Sequence, residues 1–209
     1  MNTYPLKAVT VLQPYASAIA AGVKPWENRP RPIRLDDGPI WLALHSGLKL
    51  FSDAAHQIHY LRHESSMWPD APDLAALPIG AILGVMRIDD CQPIAKVRDP
   101  WACGPFCWRV GEVRLLPRPV PCKGSQGFWA LWNTRAAAEG RASPSGLSAE
   151  VVEELHALTR QWSTGRPPCD GFYDFEGIGE RRYSRPCDPE APAPRWRVLG
   201  PETAFEVTA

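Results

Sequence analysis

The chain has 209 residues, 44% of them hydrophobic, and a formal net charge of +0. This length and hydrophobic content are typical of a globular protein with one good core, or with one domain and an extension, and they argue against disorder of the whole chain. A neutral chain is also poorly suited to wrapping a long stretch of nucleic-acid backbone, because such binding needs many cations that neutralise phosphates.

The charge is distributed unevenly along the chain. Residues 1–135 contain 15 Lys and Arg against 11 Asp and Glu, whereas residues 136–209 contain 8 against 12. The first part therefore has an excess of cations, which leaves room for a site that binds an anionic ligand.

The first residues contain no basic start followed by a continuous apolar run, and no segment has the length of a membrane-spanning helix. We therefore expect a cytoplasmic protein without a membrane partner. In that reducing compartment the six cysteines are expected to be free thiols. Because no Cys-x-x-Cys pair occurs, we do not expect them to bind a metal ion.

The first predicted elements are a strand, a short helix and an extended segment that follows the helix. A strand is predicted over Lys7–Leu12, and a short helix over Pro14–Ala21, with proline suited to its first position and Gly22 to its end. Pro25 favours an extended conformation for the residues that follow the helix, as far as Arg29.

The middle of the chain is dominated by predicted strands. The apolar run Pro39–His45 predicts a buried strand. Leu48–His63 has helical periodicity and is expected to pack on the sheet through one face, and Ser46 is its expected N-cap. That face consists of Leu48, Phe51, Ala55 and Ile58. Further strands are predicted at three positions bounded by turn-forming residues: Ala81–Ile88, Trp108–Leu115 and Phe128–Trp132. Strands outnumber helices, so the sequence predicts an α+β, mainly β fold, with a compact barrel and helices at its rim.

The C-terminal third has a different composition. Residues 134–146 are expected to form a linker or long loop, and residues 147–209 a helical and Pro-rich extension. Its helix is predicted over Leu147–Trp162, with Ser148 as N-cap and an apolar stripe formed by Val151, Leu155 and Leu158. Two short strands are predicted beyond it, at Trp196–Leu199 and Ala204–Val207. The acidic extension either narrows a basic cleft or covers an apolar flank.

From Gln13 to Arg29 the sequence is QPYASAIAAGVKPWENR. It resembles here the ASCH family, whose pattern is Gln-Pro, a short helix and then Gly-x-Lys-x-x-Glu-x-Arg. The likeness continues through the strand that ends in His45 and Ser46, and through LPIGAILGVMRIDDC and GSQGFWAL. The resemblance implies a PUA-like small β-barrel over residues 1–133, with a cleft that binds RNA, single-stranded DNA or a modified nucleoside.

The residue types around this motif suit such a ligand. Glu27 and Arg29 are two apart in an extended segment and therefore project on one face. Arg29 can form paired hydrogen bonds with a phosphate or a base edge, and Tyr15 and Trp26 offer flat surfaces for stacking. We expect ten residues to line the cleft: Gln13, Tyr15, Ser17, Lys24, Trp26, Glu27, Asn28, Arg29, His45 and Ser46.

Composition alone favours a plainer alternative for the same residues. Lys24, Glu27 and Arg29 could form a surface ion-pair cluster beside a packed tryptophan. In most folds His45, at the end of a buried strand, would be a structural histidine. The resemblance favours the binding site over this alternative.

The family does not decide between an enzyme and a binding module. One ASCH branch looks like an amidohydrolase of N4-acetylcytidine, and other members are similar to nucleic-acid-binding or RNA-cleaving modules. If the chain is an enzyme, Lys24 is the expected base or nucleophile and Glu27 the second catalytic candidate. The amidohydrolase-like members have threonine where this chain has Glu27, whose negative charge favours a cationic Lys24. Binding is therefore the first hypothesis, with no cofactor, and a regulatory protein-interaction module is a third.

Two further groups of polar residues are candidates for a metal ion or for catalysis. His56, His59 and His63 share one sector of a predicted helix, but no carboxylate or cysteine is placed to complete a metal site there. Asp89 and Asp90 follow a predicted strand and could supply a catalytic carboxylate, but such pairs mostly form turns.

Overall fold

Six strands form one mixed sheet in the computed structural model, which describes residues 6–131 and 145–160. In chain order they are β1 (Lys7–Gln13), β2 (Trp26–Arg29), β3 (Ile40–Leu50), β4 (Ala81–Pro93), β5 (Phe106–Pro121) and β6 (Phe128–Ala130). Their order across the sheet is β2-β5-β4-β3-β1-β6. Strands β1 and β3 are parallel, and the other neighbouring pairs are antiparallel.

The helices are short and lie between or after the strands. They are α1 (Tyr15–Ala20), α2 (Ala54–His59), which continues as a π-helical turn over Tyr60–Glu64, and α3 (Ala149–Arg160). Two 3-10 turns occupy Leu74–Ala76 and Ile94–Lys96. The predicted α+β, mainly β class is therefore confirmed. None of the described helices is long and apolar enough to cross a membrane.

The sheet is strongly curled. In a flat sheet β2 and β1 would lie four strand spacings apart, about 19 Å, yet Arg29 Nη2 donates to the Thr10 carbonyl at 2.8 Å. Trp108 of β5 and Phe128 of β6, also four spacings apart, stack with ring centroids 5.5 Å apart. No backbone pairing joins β2 to β6 in the described residues, so side chains bridge the seam and the sheet is not closed into a barrel.

Each face of the sheet has its own hydrophobic core. Alternation along the strands sends Val9, Leu42 and Met86 to the inner, concave face, and Ala8, Ala43 and Val85 to the outer face. Helix α1 supplies Ala16 and Ile19 to the inner core. A third cluster lies beneath α2 and the loops after it and includes Trp68 and Trp101.

Helix α1 and its end follow the prediction. Gly22 has φ of 70° and donates its N–H to the Ile19 carbonyl at 2.8 Å, which ends the helix. A residue without Cβ adopts this left-handed conformation at little cost. The chain is thereby released into the extended segment that becomes β2.

The predicted helix Leu48–His63 is wrong in its first part. Strand β3 continues to Leu50, which pairs with Gln13, and α2 begins only at Ala54. Leu48, expected on the buried face of the helix, is 70% exposed. Pairing with β1 and β4 thus outweighs a local helical periodicity.

Ser46 is not the cap of a helix. It lies buried within β3 opposite Ala81, where its hydroxyl donates to the Ala81 carbonyl at 3.1 Å and accepts from the Ala81 N–H at 3.3 Å. Its side chain therefore holds two strands together.

Asp89 and Asp90 do not form a turn, because β4 runs on to Pro93. Asp89 accepts two hydrogen bonds from Arg87, at 2.6 and 3.0 Å. Gly111 on β5 makes room for this carboxylate, since a Cβ there would lie 1.7 Å from Asp89 Oδ2. Asp90 accepts from the Cys91 N–H and from Gln92. Both carboxylates are therefore engaged within the sheet.

Helix α3 packs on the outer face. Ser148 caps it, since its hydroxyl accepts the Val151 N–H at 3.4 Å, and Val152, Leu155 and Leu158 enter the outer core. Val151, expected in the buried stripe, is only partly buried. The described part of the extension therefore covers an apolar flank and lies away from the inner face.

Several sequence expectations lie outside the described residues. These are Trp132 at the end of a predicted strand, most of the linker, Trp162 at the end of the predicted helix, the strands Trp196–Leu199 and Ala204–Val207, and Cys169 and Cys187. The other four cysteines, Cys91, Cys103, Cys107 and Cys122, are free thiols.

The packing of α3 generates a stability prediction. Leu155 is 0% exposed in the outer core, so Leu155→Ala is expected to lower the free energy of unfolding by about 2–5 kcal/mol. Urea denaturation followed by circular dichroism measures it. Glu154→Ala, at an exposed position of the same helix, is the control. Equal stability of the two variants would show that α3 contributes nothing to the core.

Candidate functional site

The backbone of β2 sorts the motif residues onto two faces. The segment after Gly22 joins the sheet when Pro25 accepts the Val110 N–H at 2.9 Å, and β2 then pairs with β5. Alternation sends Glu27 and Arg29 to the inner face. Their predicted projection on one side is therefore confirmed.

Lys24, Glu27 and Arg29 form a chain of ionic contacts. The Lys24 ammonium donates to the Trp26 carbonyl and to Glu27 Oε2, the latter at 3.2 Å. The other carboxylate oxygen, Oε1, lies 2.9 Å from Arg29 Nε. The Nε–H bond is not aligned with that oxygen, so this contact is an ion pair rather than a well-directed hydrogen bond. One carboxylate thus lies between two cations.

The three side chains differ in accessibility. The Lys24 and Glu27 side chains are 3% and 7% exposed, whereas that of Arg29 is 17% exposed. Arg29 Nη2 donates to the Thr10 carbonyl, and no described residue accepts a hydrogen bond from Nη1. Of the two cations in this ionic cluster, Arg29 is therefore the one that can reach a ligand. Lys24 and Glu27 support it.

Aromatic rings flank the two cations. Arg29 Cζ lies 5.4 Å from the centroid of the Trp108 ring, and Lys24 Nζ lies 5.9 Å from that of Tyr15. Cations at this distance from a ring face are attracted to it. Burial raises the pKa of Tyr15, whose hydroxyl donates to Gln57 Oε1 at 3.1 Å.

Gln13 and Ser17 are structural in this arrangement. Gln13 is 0% exposed, donates to the Pro78 carbonyl at 2.6 Å and accepts the Ser17 N–H at 3.1 Å. Ser17 is buried in α1. These two residues fix the position of α1 beside β1 and lie beneath the surface.

Asn28 and Trp26 lie on the opposite side of β2 from Arg29. The Asn28 amide donates to the Trp101 carbonyl at 2.8 Å, and its oxygen accepts the N–H groups of Cys103 and Gly104 at 3.0 and 3.3 Å. Asn28 therefore fastens a loop to the edge strand. Trp26 is partly buried.

His45 lies on the outer face, in contact with Thr10. Its Nδ1 is 3.1 Å from Thr10 Oγ1 and its Nε2 is 3.4 Å from the Cys122 carbonyl oxygen. Burial lowers the pKa of His45, and the hydrogen bond to Cys122 opposes this effect. His45 is thus separated by the sheet from the side chains of Glu27 and Arg29. Ser46, the next residue of β3, is opposite Val11 of the inner core, and its hydroxyl is bonded to the Ala81 backbone.

Thr10 and Trp108 belong to the site and were missed in the sequence. Thr10 bonds to Arg29 through its carbonyl oxygen and to His45 through its hydroxyl, so it links the two faces. A backbone acceptor has no sequence signal. Trp108 opposite Glu27 could have been suspected only from the pairing of β2 with β5.

His56 and His59 lie on α2, and His63 lies on the π-helical turn that continues it. The rings of His59 and His63 lie 4.9 Å apart, and His59 is mostly exposed. Within residues 6–131 and 145–160, no group of three or more His, Cys, Asp or Glu side chains is arranged to hold a metal ion.

No protein-family model matches the chain, and no curated protein matches it.

The shared carboxylate makes Glu27 the most sensitive position of the site. Glu27→Gln leaves the buried Lys24 and the partly exposed Arg29 beside a neutral amide, and it is expected to lower the free energy of unfolding by about 3 kcal/mol. The control is Glu153→Gln, which removes the same charge from an exposed pair with Arg160 and should change it by less than about 1 kcal/mol. Urea denaturation compares the two. A Glu27 variant as stable as the control would contradict the ionic chain.

Burial of His45 predicts a pH dependence of stability. Its folded-state pKa is lowered from 6.5, so the unfolded chain binds more protons just below that pH. The contribution is fully present above pH 6.5 and is lost as the pH falls towards the folded-state pKa. The free energy of unfolding, measured with urea at several values between about pH 5 and 7, should therefore rise less steeply with pH in His45→Gln than in wild type. His59→Gln, at an exposed position, should keep the wild-type slope. Equal slopes in all three proteins would contradict the assignment to His45.

Proposed function

We propose that the chain is an ASCH-type, PUA-like domain that binds RNA, single-stranded DNA or a nucleoside through Arg29, held in place by Glu27 and Lys24. The observation that supports this proposal most directly is the partly exposed guanidinium of Arg29, fixed by a buried carboxylate and a backbone carbonyl. The curl of the sheet is compatible with the barrel that the resemblance implies.

A fixed guanidinium is well suited to a phosphate or a base edge. Two of its nitrogens, Nε and Nη2, are engaged by Glu27 and Thr10, which limits its rotation. Less side-chain entropy is then lost when Nη1 donates to a ligand. The adjoining Trp108 ring excludes water from one side of the group.

The same geometry favours binding over amidohydrolase chemistry. A lysine that acts as base or nucleophile must present an unprotonated amine to its substrate. The Lys24 amine is buried and donates to the Trp26 carbonyl and to Glu27, which is an arrangement for an ammonium group. Its role in this proposal is to neutralise and orient Glu27.

We also propose a cytoplasmic location, which suits the four free thiols.

Substitution of Arg29 tests the binding site. Arg29→Ala is expected to weaken the binding of a short single-stranded oligonucleotide about 10-fold or more, because a charge-assisted hydrogen bond is lost. The slope of log affinity against log salt concentration should also decrease by about 1, because one phosphate contact is lost. Fluorescence anisotropy over a salt series measures both quantities.

Arg31→Ala is the matched control, because Arg31 is an exposed arginine two residues further on. Circular dichroism verifies the fold of both variants. If Arg29→Ala and Arg31→Ala bind equally well, Arg29 is not the ligand-binding group. Release of acetate from N4-acetylcytidine by the wild-type protein would instead favour the amidohydrolase.

A further inference from the structure

Phe128, the first residue of β6, has an unusual position. Its ring is parallel to that of Trp108, with an interplanar angle of 8° and centroids 5.5 Å apart, which is offset stacking. Trp108 is only 4% exposed, but Phe128 is 43% exposed. Since one face of the Phe128 ring lies against the indole, the exposed area belongs mainly to the opposite face and the ring edge.

The loop before Phe128 leaves this ring uncovered. Residues 123–127 are all exposed, and a Cβ placed on Gly127 would meet no atom within 4 Å. The loop is nevertheless anchored, because Lys123 donates its N–H to the Ser145 carbonyl and the Ser125 carbonyl accepts from Thr10 Oγ1. The backbone N–H groups of residues 124–127 make no hydrogen bond within the described part of the chain. A fixed apolar surface thus adjoins available donors.

The exposed ring is joined to Arg29 by a single side chain. The Trp108 ring lies 5.5 Å from the Phe128 ring and 5.4 Å from Arg29 Cζ. Trp108 also donates its indole N–H to the Arg31 carbonyl at 3.3 Å, which fixes its orientation. A flat apolar surface on β6 and a cation on β2 are therefore held at a set separation across the seam.

We propose that Phe128 is a stacking platform for one unpaired nucleobase of the ligand whose phosphate or base edge Arg29 binds. This inference rests on the proposed function and narrows it to ligands with an accessible base face. Bases inside a duplex are covered on both faces by their neighbours, so duplexes are poor ligands for this subsite. Stacking on an aromatic side chain contributes about 1–3 kcal/mol per base, with little preference for base type.

The experiment compares two strands of about eight nucleotides, one with all its bases and one with the same backbone but abasic sugars. Phe128→Leu keeps an apolar side chain and removes the flat ring. It is expected to weaken binding of the base-containing strand about 5- to 100-fold and to leave binding of the abasic strand unchanged. Phe128→Trp should retain the preference for bases. Tyr60→Leu, which removes another exposed aromatic ring, is the control.

The outcomes separate this inference from the proposed function. If Phe128→Leu binds the base-containing strand as tightly as wild type while Arg29→Ala does not, the platform is wrong and the proposed function stands. An equal loss for both strands would assign Phe128 a structural role and also overturn the platform. If the wild-type protein binds neither strand nor a free nucleoside, the proposed function and the platform both fail.

Discussion

The carboxylate of Glu27 is the group on which the arrangement of the site depends. It is nearly inaccessible to water and forms ion pairs with Lys24 on one side and Arg29 on the other. Desolvating three charged groups is costly, and the attraction between them offsets that cost only when the geometry is good. Here Lys24 has the Trp26 carbonyl as a second acceptor, and Arg29 has the Thr10 carbonyl. The cluster thereby connects the end of α1, the edge strand β2 and the strand β1 on the far side of the seam.

The same contacts explain why the two faces of the sheet have different roles. The inner face combines an apolar core with the ionic chain at its seam, whereas the outer face is covered by the apolar side of α3. Arg114, on β5, donates to the Leu158 carbonyl and lies over the Trp41 ring, so the end of α3 is bound to the sheet. Thr10 connects the two faces, because its carbonyl oxygen bonds to Arg29 and its hydroxyl oxygen to His45.

Local sequence signals were sufficient for part of this structure. The spacing of Glu27 and Arg29 in an extended segment predicted their shared face, and Gly22 predicted the helix end. The chain beyond His45 was misassigned because Leu48, Phe51, Ala55 and Ile58 match a helical period, whereas the contacts that extend β3 come from strands distant in sequence. Curling of the sheet is likewise a long-range property, so the approach of Thr10 and Trp108 to Arg29 could not be predicted. For Gln13, Ser17 and Asn28, polarity alone did not distinguish a ligand contact from a hydrogen bond inside the fold.

The seam between β2 and β6 also bears on how the fold deforms. The contacts described across it are one guanidinium–carbonyl hydrogen bond and one ring pair, with no ladder of backbone bonds. Such contacts contribute together about 2–4 kcal/mol, far less than the cost of separating two paired central strands. This seam is held by side chains and the inner core, whereas β1, β3, β4 and β5 are joined by backbone ladders. A distortion that opened the curl would therefore break side-chain contacts at the seam and leave the register of these four strands intact.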